Sequence, residues 1–306
     1  MTPPPEADVP VTRCGLVALV GAPNAGKSTL VNALVGQKVA IVSAKPQTTR
    51  ARLMGIAIEG ADQLMLVDTP GIFEARRRLD RAMVAAAWSG AADADAIAFV
   101  VDAQAGMNRK LEPLIEAIRQ RREPKILVLN KVDVTAKGDL LGLAAALETA
   151  LAPEAIFMVS AQTGDGVADL KNALAARMPE GPWHFPEDQV SDATDRMLAA
   201  EVTREQLYLQ LHAELPYASA VETEKYEERR DGSVAIHQQI LVARDTQKAI
   251  VLGKRGARLK EIGQRAREEI GRLLDRPVHL FLHVKVAPRW EEDRGLYEEI
   301  GLDWVK

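Results

Sequence analysis

The sequence predicts two domains: a larger α/β domain with a mostly parallel sheet, followed by a smaller α+β domain. Five short apolar runs alternate with helical stretches over residues 15–178. The stretch MPEGPWHFPEDQVSD follows at 178–192, and its three prolines indicate a linker. Beyond it the order of predicted elements changes. The length of 306 residues agrees with two domains, since a domain holds about 150 residues.

The apolar runs of the first domain have the composition of buried strands. They are rich in Val, Ile and Leu without alternating polar residues, which is typical of parallel strands covered on both faces. Helices are therefore expected on both sides of the sheet. The runs are GLVALVG at 15–21, QLMLVDTPG at 63–71, AIAFVVDA at 96–103, KILVLNKVD at 125–133 and AIFMVSA at 155–161.

The second domain is predicted to follow the order α-β-β-α-α-β. A helix over about 193–214 precedes two strands around the turn RRDGS at 229–233. Two helices then flank GKRG at 253–256, and the strand RPVHLFLHVKVAP precedes a short acidic tail. The predicted boundaries are a disordered N-terminus at 1–12, the first domain at 13–178, a linker at 179–192 and the second domain with its tail at 193–306.

The composition excludes several classes of protein. Hydrophobic residues make up 47% and charged residues 27% of the chain, which is ordinary for a soluble globular protein. No apolar run approaches the roughly 18 residues that a membrane span needs. The single cysteine, Cys14, excludes an internal disulfide, and MTPPPEADVP is unlike a signal peptide. We therefore expect a cytoplasmic protein in a reducing compartment.

Positive charge is concentrated in one part of the chain, although the net charge is −4. Residues 244–289 contain 12 Lys and Arg against 5 Asp and Glu, a net charge of +7. The rest of the chain therefore carries −11. A basic block within an acidic protein is typical of a site for a polyanion such as a nucleic acid.

The stretch GAPNAGKS at 21–28 has the composition and the context of a phosphate-binding loop. It follows a predicted strand and opens a helix, so backbone N–H groups and the helix N-terminus can surround phosphate oxygens. Lys27 is expected to reach the β- and γ-phosphates, and the Ser28 hydroxyl to bind Mg²⁺.

DTPG at 68–71 ends another predicted strand and completes a site for a nucleoside triphosphate. Asp68 can hold Mg²⁺ through a water, and the Gly71 N–H can meet the γ-phosphate.

NKVD at 130–133 predicts which base the nucleotide carries. Asp133 can accept hydrogen bonds from N1–H and the N2 amino group of guanine, while Asn130 approaches the other edge and Lys131 packs over the ring. Adenine lacks this pair of donors and would leave the carboxylate unpaired. After a further strand, Ala161 of SAQTG can offer its N–H to the guanine oxygen. The predicted nucleotide is GTP.

Together these motifs resemble the translation-factor-related GTPases and, within them, the Era family. The resemblance covers nearly the whole chain. It implies a P-loop GTPase domain followed by a KH domain of type II, the α-β-β-α-α-β order. HFPED and ELPY are marks of the family whose chemistry the sequence does not reveal. Besides the motifs above, the resemblance rests on KPQTTR at 45–50, HFPED at 184–188, ELPY at 214–217 and GKRGARLKEIG at 253–263.

GKRG looks like the GxxG loop of a KH domain, which clamps about four nucleotides of single-stranded RNA. It joins two predicted helices, and Ala257 after it has no hydroxyl for Mg²⁺. Candidate residues for the floor of the base-binding groove are Ile250, Val251, Leu252 and Ile262, with core packing as the alternative for each. The RNA contacts are assigned to Gly253, Lys254, Arg255, Gly256, Arg258 and Lys260.

One threonine of KPQTTR is expected to bind Mg²⁺ when the γ-phosphate is present. The resemblance points to Thr49, with Thr48 as the alternative. The metal residues are then Ser28, Thr49 and Asp68, and the catalytic residues are Lys27, Thr49, Asp68 and Gly71. The cofactor contacts are assigned to Gly21, Ala22, Pro23, Asn24, Ala25, Gly26, Lys27, Ser28, Thr29, Asp68, Thr69, Pro70, Gly71, Ile72, Asn130, Lys131, Asp133, Ser160 and Ala161.

Intrinsic GTP turnover is expected to be slow. Many switch GTPases orient the attacking water with a glutamine just after the DxxG glycine, and this chain has Ile72 there. Asn24 matches the phosphate-loop asparagine with which resembling GTPases bind K⁺, and a bond to loop backbone is the alternative. The arginines Arg76, Arg77, Arg78 and Arg81 are interpreted as a solvated switch helix, with an RNA contact as the alternative.

The resemblance implies a GTP-hydrolysing switch that binds the 3′ end of small-subunit (16S) ribosomal RNA and assists assembly of the 30S subunit. The alternative is a constitutive RNA chaperone with a mainly structural nucleotide domain. The complete set of Mg²⁺ and γ-phosphate groups favours the switch. We expect a cytoplasmic monomer, and peripheral association with the cytoplasmic face of the inner membrane stays open.

Overall fold

The computed structural model describes residues 11–50, 52–75 and 77–305. Of the predicted disordered N-terminus at 1–12, all but Val11 and Thr12 lie outside the described residues. The elements of the first domain are β1 (Arg13–Val20), α1 (Lys27–Val35), β2 (Leu53–Glu59), β3 (Asp62–Asp68), α2 (Arg78–Ala92), β4 (Ala96–Asp102), α3 (Glu112–Arg119), β5 (Lys125–Asn130), α4 (Lys137–Leu151), β6 (Ala155–Val159) and α5 (Val167–Ala175).

Six strands form one sheet in the order β2-β3-β1-β4-β5-β6. All neighbouring strands are parallel except β2 and β3. An apolar layer covers each face, with Leu19 in one layer and Val20 in the other. The predicted mostly parallel sheet between helices is confirmed. Strand β2 was not predicted, because it lies at the sheet edge and only its three central residues are buried.

The parallel strands bring the predicted motifs to one edge of the sheet. GAPNAGKS follows β1, DTPG begins at the end of β3, NKVD begins at the end of β5, and SAQTG follows β6. Ligands of open α/β sheets bind beyond the carboxyl ends of the strands. The topology therefore gathers the four motifs around one crevice.

The second domain has a three-stranded sheet in the order β7-β8-β9, with β7 antiparallel and β9 parallel to β8. Two apolar clusters in this domain combine buried residues of α6, α7, α8 and the sheet. The predicted order α-β-β-α-α-β is confirmed. The elements are α6 (Asp195–Gln210), β7 (Ser219–Glu228), β8 (Val234–Val242), α7 (Asp245–Leu252), α8 (Ala257–Leu273), β9 (Val278–Val286) and α9 (Arg294–Glu299).

The segment predicted as a linker lies along the first sheet. The Gln63 side chain is fully buried, donates to the Phe185 carbonyl at 2.8 Å and accepts from the His184 N–H at 2.9 Å. Further along, the Ile56 N–H donates to the Val190 carbonyl at 2.8 Å. HFPED therefore has a structural role, which is to fasten this segment to β3.

No helix in the described part of the chain is both long and apolar enough to cross a membrane.

Candidate nucleotide and RNA sites

The phosphate loop joins β1 to α1 and buries its lysine. Lys27 is 6% exposed, and its Nζ donates to the carbonyls of Gly21 at 3.2 Å and Ala22 at 3.1 Å. Burial lowers the pKa of Lys27 to about 8, and the nearby Asp68 carboxylate opposes this shift. Triphosphate oxygens beside the ammonium would favour its charged form further.

Gly26 is required by the backbone of this loop. Its φ is 93°, and a Cβ at this position would lie 2.2 Å from Nδ2 of Asn130. That Nδ2 donates to the Ala25 carbonyl at 2.9 Å. The first residue of NKVD therefore supports the phosphate loop from behind, and any larger residue at Gly26 would displace it.

Three predicted metal residues meet at the other end of the loop. The Ser28 hydroxyl lies 2.6 Å from Asp68 Oδ2 and 2.7 Å from the Thr49 hydroxyl, which is itself 3.2 Å from Asp68 Oδ2. The other carboxylate oxygen, Asp68 Oδ1, is buried without a hydrogen-bond partner within the described residues. Burial raises the pKa of Asp68, and Lys27 opposes the shift. Hard oxygen ligands and an unsatisfied carboxylate oxygen fit Mg²⁺.

The structure distinguishes the two threonines of KPQTTR. The Thr48 hydroxyl lies 2.6 Å from the Ser43 hydroxyl and 2.8 Å from the Lys45 carbonyl, away from Asp68. Thr49 alone of the two bonds Ser28 and Asp68. This geometry supports the assignment of Thr49 to the metal.

Thr49→Ala is expected to slow GTP hydrolysis by about tenfold or more while leaving GDP affinity unchanged. The reason is that the hydroxyl is expected to bind Mg²⁺ only when the γ-phosphate is present. Single-turnover hydrolysis and titration with fluorescent GDP measure the two effects. Thr48→Ala is the matched control and should keep parental turnover. Slow hydrolysis in Thr48→Ala together with parental rates in Thr49→Ala would reverse the assignment.

Residues of DTPG divide between the site and the core. Thr69 is fully buried and its hydroxyl donates to the Leu19 carbonyl at 2.7 Å, and its assignment to the cofactor contacts stays a prediction. A Cβ on Gly71 would lie 2.7 Å from the Pro23 backbone, which explains the glycine. The Ile72 side chain packs against the core, in agreement with the expectation that it orients no water.

A cavity of about 230 Å³ lies where guanine is expected. Asp133 is exposed at its edge, and Lys131 has a left-handed backbone with φ 70°. The Lys131 ammonium lies 2.5 Å from Asp102 Oδ2, which holds the aliphatic stem of the lysine beside the cavity. The cavity is lined by Gly26, Thr29, Asn130, Lys131, Asp133, Val134, Ser160, Ala161 and Gln162.

The Ala161 N–H donates to Asn130 Oδ1 at 3.0 Å. Its contact with a guanine oxygen stays a prediction. The Asn130 amide therefore links Ala25 in the phosphate loop to Ala161 in SAQTG. A single side chain thus fixes the spacing between the phosphate end and the base end of the crevice.

Asn24 reaches out of the phosphate loop. Its Nδ2 donates to the Ala44 carbonyl at 2.9 Å, in the loop that ends in KPQTTR. The alternative reading, a bond within the phosphate loop itself, does not describe this contact. Binding of K⁺ at Asn24 stays a prediction. A comparison of GTP turnover in KCl and in NaCl at equal ionic strength tests it.

The GKRG loop exposes its cations. Lys254, Arg255 and Lys260 are exposed, whereas Arg258 is half-buried and donates to the Ile250 carbonyl at 3.2 Å. Gly253 has φ 69°, and a Cβ there would lie 2.8 Å from the Arg258 Cβ. The glycine is therefore required by the close approach of α8, and Arg258 braces the loop.

The groove beside this loop differs from the predicted one. Val251 and Ile262 are fully buried in the core, so their assignment to the groove floor is wrong, and Ile250 is 49% exposed. The actual groove has a volume of about 450 Å³ and lies between α8 and β9. Its lining consists of Gly256, Leu259, Lys260, Gly263, Gln264, Arg267, Leu280 and Leu282.

Sequence reasoning missed most of this lining. Lys260, Gln264 and Arg267 follow the spacing of one helix face, and Leu280 and Leu282 share one face of a strand. These two periodicities were readable in the sequence. Their convergence on one groove was not, because it depends on how α8 packs on β9.

Comparisons with known proteins agree with this geometry. Residues 16–131 match the family model of the 50S ribosome-binding GTPase, and residues 214–291 match that of the KH domain. The GTPase Era of Erythrobacter litoralis (strain HTCC2594) is 61% identical over 300 residues, which cover 97% of this chain and 99% of the relative. GTPase Era of Rhizobium meliloti (strain 1021) is 57% identical over 295 residues, covering 96% and 94% of the two chains.

Two solved structures match over both domains. Era in complex with MgGDPNP and nucleotides 1506–1542 of 16S ribosomal RNA has a TM-score of 0.90 at 36% identity, covering 95% of this chain and 99% of that chain. A variant of Aquifex aeolicus Era bound to GDP·AlF₄⁻ has a TM-score of 0.89 at 37% identity, covering 94% and 99%. With identities above half over nearly the whole chain, the protein belongs to the Era family of GTPases.

Proposed function

We propose that this protein is a GTP-hydrolysing switch whose nucleotide state controls how its KH domain docks on the 3′ end of 16S rRNA during assembly of the 30S subunit. One observation carries the proposal: the loop that supplies Thr49 to the metal residues packs directly on the KH domain. The related Era structure with MgGDPNP and 16S rRNA supports the same two ligands.

The first contact joins the switch loop, residues 37–50, to helix α6. Glu205 on α6 is 4% exposed, and its carboxylate accepts from Lys38 Nζ at 2.6 Å and from the Val42 N–H at 2.8 Å. Lys38 also lies 2.9 Å from Glu269 on α8. Lys45 donates to the Leu211 carbonyl at 2.9 Å, just after α6. A change in the position of the switch loop would therefore disturb its contacts with α6 and α8 of the KH domain.

The second contact joins α2, which follows DTPG, to the C-terminal tail. Leu79 and Met83 of α2 share an apolar cluster with Trp290 and Tyr297. These four side chains are each at most 4% exposed. The switch loop, which contains Thr49, and α2, which follows DTPG, are therefore both anchored on the second half of the chain.

Part of the arginine cluster has a defined role at this contact. Arg77 Nη1 lies 3.0 Å from Glu291 Oε1, and the Arg78 guanidinium lies 4.5 Å from the centre of the Trp304 ring. Both arginines therefore contact the C-terminal tail, although the Arg77 side chain is still 39% exposed. Arg76 lies outside the described residues.

The geometry supports the following division of labour in hydrolysis. Lys27 and the loop amides bind the phosphates, Asp68 and the hydroxyls of Ser28 and Thr49 would hold Mg²⁺, and Gly71 leaves room beside Pro23. Mg²⁺ bound there would neutralise charge on the phosphate oxygens. Among these groups, Thr49 alone comes from the switch loop, so its position reports the γ-phosphate.

RNA affinity in two nucleotide states tests the proposal. A labelled oligonucleotide with the 16S rRNA 3′ sequence is titrated with the protein bound to a non-hydrolysable GTP analogue and to GDP, at one salt concentration. We expect at least about tenfold tighter binding in one state, which corresponds to a coupling of about 1.4 kcal/mol. Equal affinity in both states, with oligonucleotide and with 30S subunits, would instead favour a constitutive RNA chaperone.

Partners and location follow the same proposal. The protein acts as a cytoplasmic monomer on the immature 30S subunit, and its basic block at 244–289 supplies the attraction for rRNA. Peripheral association with the inner membrane is part of the proposal as well, and flotation with vesicles of anionic lipid tests it.

A further inference from the structure

Arg50 lies beside Thr49 in the chain but belongs, by its contacts, to the KH domain. Only 5% of its surface is exposed. Its Nη1 donates to the Ser219 carbonyl at 2.7 Å, and its Nη2 donates to the carbonyls of Pro216 at 3.2 Å and Tyr217 at 3.1 Å. Two of these carbonyls belong to ELPY, the motif whose chemistry the sequence does not reveal.

Aromatic rings enclose the same guanidinium. The Arg50 Cζ lies 6.0 Å from the centre of the Tyr208 ring and 5.9 Å from that of Trp290. The Tyr208 hydroxyl accepts from Arg50 Nη2 at 3.4 Å and donates to the Gln47 carbonyl at 3.1 Å. Residues from α6, ELPY, β7 and the C-terminal tail thus form one cage around this side chain.

Because the Arg50 guanidinium and its partners are buried, losing either side of the contact costs free energy. The Arg50 guanidinium keeps its positive charge although it is almost fully buried, and a buried charge is costly unless carbonyl dipoles and aromatic rings surround it. Conversely, loss of the guanidinium would remove a donor from the carbonyls of Tyr217 and Ser219, whereas the Pro216 carbonyl would keep the Ser219 hydroxyl as a donor. Arg50 therefore fixes the end of the switch loop to the KH domain, one peptide bond from Thr49.

We propose that Arg50 is a positioning residue for GTP hydrolysis: held by the KH domain, it sets the place of the Thr49 hydroxyl beside Ser28 and Asp68. The KH domain thereby contributes to the geometry of a reaction whose phosphate and base pockets, within the described residues, are lined by the first domain. This inference rests on the proposed function and adds the direction from the KH domain to catalysis. Misplacement of a group by about 1 Å can cost about a hundredfold in rate.

The test separates turnover from binding in the full-length protein. Arg50→Ala is expected to lower kcat for GTP by about tenfold or more, with GDP affinity within about twofold of the parent. Arg50→Lys should recover part of the rate, because an ammonium keeps the charge but cannot reach several carbonyls in a fixed fork. Arg52→Ala removes a half-buried cation two residues further along the chain and is the matched control with parental kcat.

A double-mutant cycle asks whether Arg50 acts through Thr49. If it does, the variant that combines Arg50→Ala with Thr49→Ala hydrolyses GTP no more than about twofold more slowly than Thr49→Ala alone. Multiplying rate losses would overturn the proposal, as would parental kcat in Arg50→Ala. A loss of GDP affinity equal to the loss of kcat would overturn it too, since that is the result of general unfolding.

A variant on the other side of the contact guards against misfolding of Arg50→Ala. Tyr208→Phe removes only the hydroxyl that links Arg50 to Gln47, and should lower kcat severalfold with GDP affinity unchanged. Parental kcat in Tyr208→Phe would count against the cage. These kinetic measurements need no RNA, so they test the role of Arg50 independently of the proposed switch. Equal RNA affinity in the two nucleotide states would refute the switch but would not decide whether Arg50 positions Thr49.

Discussion

Replacing Lys254 and Arg255 together with aspartate is expected to abolish binding of the 16S rRNA 3′ end. Both side chains are exposed on the GKRG loop, and the change turns two positive charges into two negative ones beside the phosphodiester backbone. The loop would then repel the RNA strand that it is expected to hold over the adjoining groove between α8 and β9. We expect affinity to fall by at least about a hundredfold, measured by anisotropy of a labelled oligonucleotide.

A matched pair of arginines separates this effect from general electrostatics. Arg229 and Arg230 are also adjacent and exposed, but they lie in the turn between β7 and β8. Their double aspartate variant carries the same charge change and should bind RNA within a few-fold of the parent. GTP affinity should be parental in both variants. Equal loss of RNA binding in both would mean that net charge, and not the GKRG loop, determines affinity.

The positions of the nucleotide motifs in the fold were predictable from the sequence. GAPNAGKS, DTPG and NKVD each place a loop at the end of an apolar strand, and a parallel sheet brings such ends to one edge. At these loops, the structure adds little to what the residue composition of each motif already indicates. The arrangement of Thr49 with Ser28 and Asp68 agrees with what the family resemblance implied.

Contacts between distant segments could not be predicted in the same way. Arg50 and Ser219 are 169 residues apart, and Gln63 lies 122 residues from Phe185. Neither pair leaves a periodic pattern, because each partner uses backbone carbonyls that every residue has. Val251 and Ile262 show a related limit. Both side chains are apolar, as a groove floor requires, but the sequence does not show whether such a side chain faces the core or the groove.

Asp133→Asn is expected to exchange the nucleotide preference of the protein from guanine to xanthine. The carboxylate of Asp133 stands at the edge of the guanine cavity and offers two acceptors to N1–H and the N2 amino group. An asparagine presents one acceptor and one donor. The donor opposes the N2 amino group of guanine, whereas xanthine has a carbonyl at that position and accepts it.

The expected loss of GTP affinity is at least about a hundredfold, because two charge-assisted hydrogen bonds are replaced by one neutral bond and one donor–donor conflict. Competition of GTP and XTP against a fluorescent nucleotide measures both affinities, and the XTP affinity should rise in the variant. Asp139→Asn, an exposed carboxylate in the first turn of α4, is the matched control for the loss of one negative charge. Asn130 and Lys131 remain in place, so the phosphate loop keeps its support and RNA binding should be parental. A variant that binds GTP as tightly as the parent would refute the assignment of NKVD to the base.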